Sequence, residues 1–64
     1  MFSDRRLKSN IKRVGTHPIG VGIYDFTMMG FKQRGVIAQE VQEVRPDLVK
    51  RHANGYLTVN YGGL

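Results

Sequence analysis

The side chains best suited to chemistry in this sequence are cations near its N-terminus. Five cations lie within the first thirteen residues: Arg5, Arg6, Lys8, Lys12 and Arg13. The same stretch contains a single acid, Asp4. That run carries a net charge of +4, while the whole chain carries +5. Such a cluster can bind nucleic acid phosphates or an anionic membrane, or it can be a solvated face.

Other reactive side chains are sparse. The absence of cysteine excludes disulfides, Cys-ligated zinc and a thiol nucleophile. His17 and His52 stand thirty-five residues apart, so we expect no metal and no other cofactor. No helix-turn-helix, zinc-finger or RNP signature is present, and no aromatic residues interleave with the basic run. A small basic nucleic-acid-binding module is therefore kept only as an alternative.

The length and composition indicate one small folded domain over residues 1–64. The chain has 64 residues, of which 41% are hydrophobic, so disorder is not expected. A domain of this size buries only about 60% of its unfolded surface, and without disulfides or metal a partner chain is the expected support. No apolar run approaches the roughly 18–20 residues of a membrane span. No signal-peptide core follows Met1, and we expect no membrane partner.

Local patterns in the first half predict a helix and a strand. Ser3 and Asp4 are good N-cap residues, and Leu7 and Ile11 follow at i, i+4, which favours a short helix or helical turn within residues 4–13. Polar and apolar residues alternate between Ile19 and Met29, as in a half-buried strand. Residues 31–34 are interpreted as a polar connection that ends at a glycine.

The second half predicts a helix followed by a hairpin. Apolar residues recur with helical spacing at Ile37, Val41, Val44 and Leu48. Pro46 should end that helix after about two turns. Asn54-Gly55 between apolar arms predicts a hairpin with a type I′ turn. The expected fold class is α+β, a small single domain with short helices and a small antiparallel sheet that includes this C-terminal β-hairpin.

Three blocks carry a family resemblance: SDRRLKSNI from Ser3, GVIAQEV from Gly35, which continues to VRPDLV, and GYLTVNYGGL from Gly55. In this order they resemble the peptidase S74 family, the C-terminal intramolecular chaperone domains of phage endosialidases, tail spikes and tail fibres. The resemblance implies a homotrimer that helps an upstream fibrous segment of its own polypeptide to fold. It also implies assembly in the bacterial host cytoplasm, with the parent protein in the virion tail.

The resemblance further implies an autoproteolytic serine peptidase. By position in the first block, Ser3 is the nucleophile, Lys8 is the base and the scissile bond is Phe2–Ser3, with residues 1–2 upstream of the cut. Supporting roles are open to four further polar residues of the blocks, although capping or an exposed helix face explains each equally well: Asp4, Asn10, Gln39 and Glu40. A non-cleaving structural trimerisation cap is the alternative, and the presence of both dyad residues favours cleavage.

The chemistry places physical demands on the lysine. At its reference pKa of about 10.4 a lysine is protonated at neutral pH, so it must be desolvated or surrounded by cations to act as a base. We expect burial or the neighbouring basic residues to lower its pKa. On a helix capped by Ser3, the Lys8 stem would reach back to the hydroxyl. The N–H groups of residues 5–7 would then form an oxyanion hole for the Phe2 carbonyl.

Overall fold

The computed structural model describes all 64 residues, and it confirms the α+β class. One helix and five strands follow in the order β1 (Ser9–Thr16), β2 (Gly22–Met28), β3 (Phe31–Gly35), α1 (Ala38–Val44), β4 (Val49–Arg51) and β5 (Leu57–Val59). The first three strands form an antiparallel sheet with β2 in the middle, and β4 pairs with β5 in a second antiparallel sheet. No helix is long and apolar enough to cross a membrane.

The alternating segment forms the central strand, as predicted. Phe26 and Met28 of β2 are buried, while Ile23, Asp25 and Thr27 on the opposite face are partly exposed. A two-residue turn at Met29-Gly30 joins β2 to β3, with φ of +52° and +82°, the geometry of a type I′ turn. The predicted polar connection at residues 31–34 is wrong. These residues form β3, an edge strand that pairs fully with β2 and leaves Phe31, Lys32 and Arg34 exposed.

Of the short helix or helical turn predicted within residues 4–13, only a single turn forms. A 3-10 turn spans Arg5–Leu7, and the chain then enters β1 and pairs with β2. Two apolar residues are too few for a helix to bury a stripe, whereas pairing with β2 satisfies the backbone hydrogen-bonding groups. Asn10 adopts φ +51°, which no α-helix accommodates, and it lies within a register shift of β1.

The second helix and the C-terminal hairpin are confirmed with two differences. Helix α1 buries Val41 but leaves Val44 half exposed, and Pro46 opens a 3-10 turn after the helix ends. In the hairpin, the Gly55 N–H donates to the His52 carbonyl at 2.8 Å, and Gly55 has φ +89°. The residue before it is not left-handed, so the loop is the three-residue kind rather than type I′.

The first residues of the chain extend the second sheet. Phe2 forms a bridge with Thr58, and Met1 exchanges backbone hydrogen bonds with Val59. The main hydrophobic core is a cluster of eight buried residues drawn from the strands, the helix and their connections: Val21, Val36, Ala38, Val41, Leu48, Val49, Leu57 and Val59. The N-terminal segment is therefore part of the fold, and it runs antiparallel to β5 directly before the first sequence block.

Met29 provides a test of the β2–β3 turn. Its side chain is 83% exposed while its backbone is left-handed, a conformation that asparagine tolerates far better than methionine. We expect Met29→Asn to raise the free energy of unfolding by about 0.5–1 kcal/mol, measured by urea denaturation. The control Met28→Asn places a polar group in the core and should destabilise the protein. A lower midpoint for Met29→Asn would contradict this account of the turn.

Candidate active site

Ser3 is held from both sides by main-chain hydrogen bonds. Its N–H donates to the Leu57 carbonyl at 3.2 Å, and its carbonyl accepts from the Ala38 N–H at 2.8 Å. The residue has no exposed surface. The backbone of Ser3 is thus fixed between β5 and the beginning of α1, and its side chain has little freedom to move.

A tight turn brings Lys8 back to Ser3. The 3-10 turn Arg5–Leu7 reverses the chain, and Lys8 follows it in extended geometry with its Nζ 3.0 Å from Ser3 Oγ. The side chain is only 8% exposed, and Nζ lies 3.5 Å from the centroid of the Phe26 ring. The sequence-predicted pair therefore lies in hydrogen-bonding contact, although a 3-10 turn rather than a helix brings the two residues together.

Burial makes Lys8 a feasible base. Desolvation lowers the pKa of Lys8 from 10.5 to about 8. At pH 7 a group with that pKa is neutral about one tenth of the time, compared with less than one part in a thousand for a solvated lysine. The expected contribution of neighbouring cations is not found, because desolvation is the sole cause of the shift. The fold of a single chain is sufficient to bury this amine.

Two further groups complete the surroundings of the hydroxyl. Ser3 Oγ lies 2.6 Å from the Val36 carbonyl oxygen and 3.1 Å from the Tyr61 hydroxyl. Lys8 Nζ also donates to the Val36 carbonyl, at 3.1 Å. Neither partner was identified from sequence. Tyr61 belongs to the third block, in which the resemblance assigns no catalytic residue, and Val36 acts through its backbone, which side-chain type does not reveal.

Asp4 fastens the turn between the two dyad residues. Its buried carboxylate accepts from the Arg6 backbone N–H at 2.9 Å and from two guanidinium nitrogens of Arg6 at 3.0 and 2.9 Å. It also accepts from Gln39 Nε2 at 2.8 Å and from the Leu57 N–H at 3.0 Å. The Arg6 guanidinium is the main cause that holds the pKa of Asp4 well below its usual range. Asp4, rather than Ser3, is the N-cap of this turn.

Gln39 acts with Asp4 on the same turn. Besides its bond to Asp4, its Oε1 accepts from the Arg5 N–H at 2.8 Å. The N–H groups of Arg6 and Leu7 are occupied by the Asp4 carboxylate and carbonyl. The predicted oxyanion hole at residues 5–7 is therefore wrong, because all three donors already have partners inside the chain.

The remaining two candidates lie away from the dyad. Glu40 accepts from the Gly22 N–H at 3.0 Å and from the Tyr24 hydroxyl at 2.5 Å, and it ties α1 to β2. It also forms an ion pair with Arg5 at 3.6 Å. Asn10 is exposed on β1, outside the hydrogen-bond network around Ser3. Glu40 supports the scaffold, and the structure does not bring Asn10 to the site.

A comparison with protein-family models identifies the family of this chain. The family model Peptidase S74, described as chaperone of endosialidase, matches residues 3–50, which is 48 of the chain's 64 residues. The chain belongs to this family. As a peptidase S74 member it is a chaperone-type module of endosialidase-like proteins. The matched region contains Ser3 and Lys8 and ends before the third block, so Tyr61 lies outside it. No curated protein and no solved structure gave a significant match.

The buried lysine predicts a particular pH dependence of stability. Because the pKa of Lys8 is about 8 when folded and near 10.5 when unfolded, the unfolded state binds more protons between these values. Stability should rise by about 3 kcal/mol as pH increases through this window and should be flat below it. Urea unfolding of Ser3→Ala and of Ser3→Ala/Lys8→Met isolates the effect, since the double variant lacks the amine. Identical pH profiles would contradict the burial of Lys8.

The hydrogen bonds of Asp4 predict that its substitution destabilises the protein more than substitution of the exposed Asp25. Asp4→Asn points an amide donor at groups that are themselves donors, and we expect it to destabilise the domain by about 3 kcal/mol. Asp25→Asn is the matched control, because Asp25 also pairs with an arginine, Arg34, but on the exposed outer face of the sheet. Thermal unfolding of the two variants should show a large loss for Asp4→Asn and little change for Asp25→Asn. Equal losses would argue against this role of Asp4.

Proposed function

We propose that this domain is a self-cleaving chaperone module that cuts its own chain at Phe2–Ser3. The observation that carries the proposal is the 3.0 Å contact between Ser3 Oγ and Lys8 Nζ in a buried setting. A buried serine beside an amine of lowered pKa has the parts of an activated nucleophile. Membership of the peptidase S74 family supports the same chemistry.

The first step is a proton transfer followed by an attack on the preceding peptide bond. Neutral Lys8 accepts the hydroxyl proton of Ser3 while one of its own N–H groups remains bonded to the Val36 carbonyl. Ser3 Oγ then bonds to the carbonyl carbon of Phe2, which closes a five-membered ring through the Ser3 backbone. The carbonyl electron pair moves to oxygen in the tetrahedral intermediate.

The second step opens that ring. The bond between the Phe2 carbonyl carbon and the Ser3 nitrogen breaks, and the Lys8 ammonium returns its proton to the departing amine. This leaves an ester between Phe2 and the Ser3 side chain. Water then hydrolyses the ester to a Phe2 carboxylate and a free Ser3 hydroxyl, so each chain reacts once.

The chaperone role concerns the chain that precedes Ser3. Residues 1–2 lie as an added strand on β5, which directs upstream polypeptide along this sheet edge. We propose that the upstream segment is fibrous and that the active form is a homotrimer. Exposed apolar side chains on the first sheet, including Ile11, Val14 and Phe31, are available for contacts between subunits. The proposed setting is the bacterial host cytoplasm during phage assembly, with the parent protein in the virion tail.

A non-cleaving structural cap is the second candidate. The observation that favours it is the short bond of 2.6 Å between Ser3 Oγ and the Val36 carbonyl, which directs the hydroxyl proton away from Lys8 at rest. A nucleic-acid-binding role has less support. Within the basic run Lys8 is buried and Arg6 is paired with Asp4, so two of the five cations are not available to phosphates.

Cleavage is tested by intact mass spectrometry of the full chain fused behind a trimeric fibrous segment. We expect the parent to yield a fragment that begins at Ser3, and we expect Ser3→Ala and Lys8→Ala to remain whole. Lys12→Ala is the matched control, because Lys12 is an exposed lysine on β1 and should not affect the rate. A parent that remains whole while sedimenting as a trimer would identify the domain as a cap.

A further inference from the structure

We propose that Tyr61 is a third catalytic residue, whose hydroxyl donates to Ser3 Oγ and stabilises the negative charge there as Lys8 takes the proton. This inference rests on the proposed self-cleavage. The contact itself is direct, with 3.1 Å between the two oxygen atoms. Tyr61 comes from the last turn of the chain, fifty-eight residues away from the nucleophile in sequence.

The direction of this hydrogen bond follows from the partners of each oxygen. Ser3 Oγ gives its single proton to the Val36 carbonyl, which can only accept. Its lone pairs then accept hydrogen bonds from the Lys8 ammonium and the Tyr61 hydroxyl. Tyr61 Oη in turn accepts from the Val36 backbone N–H at 3.2 Å, so its own proton is free to point at the serine. Tyr61 is therefore the donor.

This donor matters because water cannot replace it. Ser3 has no exposed surface, so an oxyanion that forms there depends on donors supplied by the protein. Lys8 and Tyr61 are the side-chain donors within hydrogen-bonding distance of Ser3 Oγ. When Lys8 takes the proton, a hydrogen bond from a neutral hydroxyl to an anion becomes charge-assisted and roughly doubles in strength.

The residues around Tyr61 fix the position of its hydroxyl group. Tyr61 begins a 3-10 turn that ends at Gly63, capped by the Asn60 side chain, whose Oδ1 accepts from the Gly62 N–H at 3.1 Å. On the other side, a Cβ at Gly35 would lie 2.5 Å from Tyr61 Oη. The backbone of Gly35 is not left-handed, so this contact, rather than backbone conformation, is what excludes a side chain there.

The test measures the cleavage rate of the fused full chain from pH 6 to 10. We expect Tyr61→Phe to cut about 10- to 100-fold more slowly across this range, as for loss of one hydrogen bond to a charged group. The pH midpoint, near 8, should not move, because Lys8 sets it. Tyr56→Phe is the control and should retain the parent rate, since the Tyr56 ring stacks against Arg6, away from the dyad.

A second variant keeps the tyrosine but moves its hydroxyl. Gly35→Ala should slow cleavage by a similar factor, because its methyl group must displace Tyr61 Oη. When Gly35→Ala is added to Tyr61→Phe, the cleavage rate should fall little further, since the oxygen that clashes with the methyl group is already absent. Melting temperatures of all variants, measured with Ser3→Ala to prevent cutting, establish that each protein is folded.

The outcomes separate the two proposals. Two results support the catalytic role of Tyr61. The Tyr61→Phe variant should cleave slowly but to completion, and the rate losses of Tyr61→Phe and Gly35→Ala should not add in the double variant. A parent that cuts while Tyr61→Phe cuts at the same rate overturns this inference alone. The inference is also overturned if Tyr61→Phe lowers the melting temperature and leaves part of the protein uncut while the rest cleaves at the parent rate. That result would show that Tyr61 serves only in packing. A parent that never cuts overturns the proposed function, and this inference fails with it.

Discussion

The structure depends on a buried amine that has no carboxylate partner. The Nζ of Lys8 lies among the Ser3 hydroxyl, the Val36 carbonyl and the Phe26 ring, and none of these carries a full negative charge. An ion pair would stabilise the ammonium and raise the pKa, whereas this environment disfavours the charge and lowers the pKa. Burial of this amine costs stability at neutral pH, and it places an amine of lowered pKa next to a hydroxyl.

Much of the remaining architecture keeps that arrangement in place. Asp4 lies between the two dyad residues in sequence and binds both its own turn and the backbone of β5, through Arg6 and Leu57. It is fully buried and fully hydrogen-bonded, so it stabilises the turn that precedes Lys8. A buried carboxylate and a buried amine thus lie on opposite sides of one short turn without pairing. The turn separates them, and this separation preserves the low pKa of the lysine.

The parts of the fold that could be predicted are those set by local pattern. Alternation of polar and apolar residues predicts β2, and helical spacing with a following proline predicts α1. The Asn-Gly pair predicts the C-terminal hairpin. Each of these signals depends on neighbours within a few residues. A longer helix over residues 8–13 and a loop at residues 31–34 do not form, and the reason is the same for both. Residues 9–13 and 31–34 lie in edge strands, where pairing with β2 rather than their own sequence pattern decides the conformation.

The sequence by itself determined the family, through the three ordered blocks. Position in the first block also identified Ser3 and Lys8 as the two residues expected to pair. Only the tertiary structure decided the environment that could make them reactive. The Val36 carbonyl and the Tyr61 hydroxyl reach Ser3 across 33 and 58 residues of chain, and the burial that lowers the pKa of Lys8 is a property of the packed domain. Residue type specifies what a group can donate or accept, whereas solvent exclusion and distance arise only when remote segments pack together.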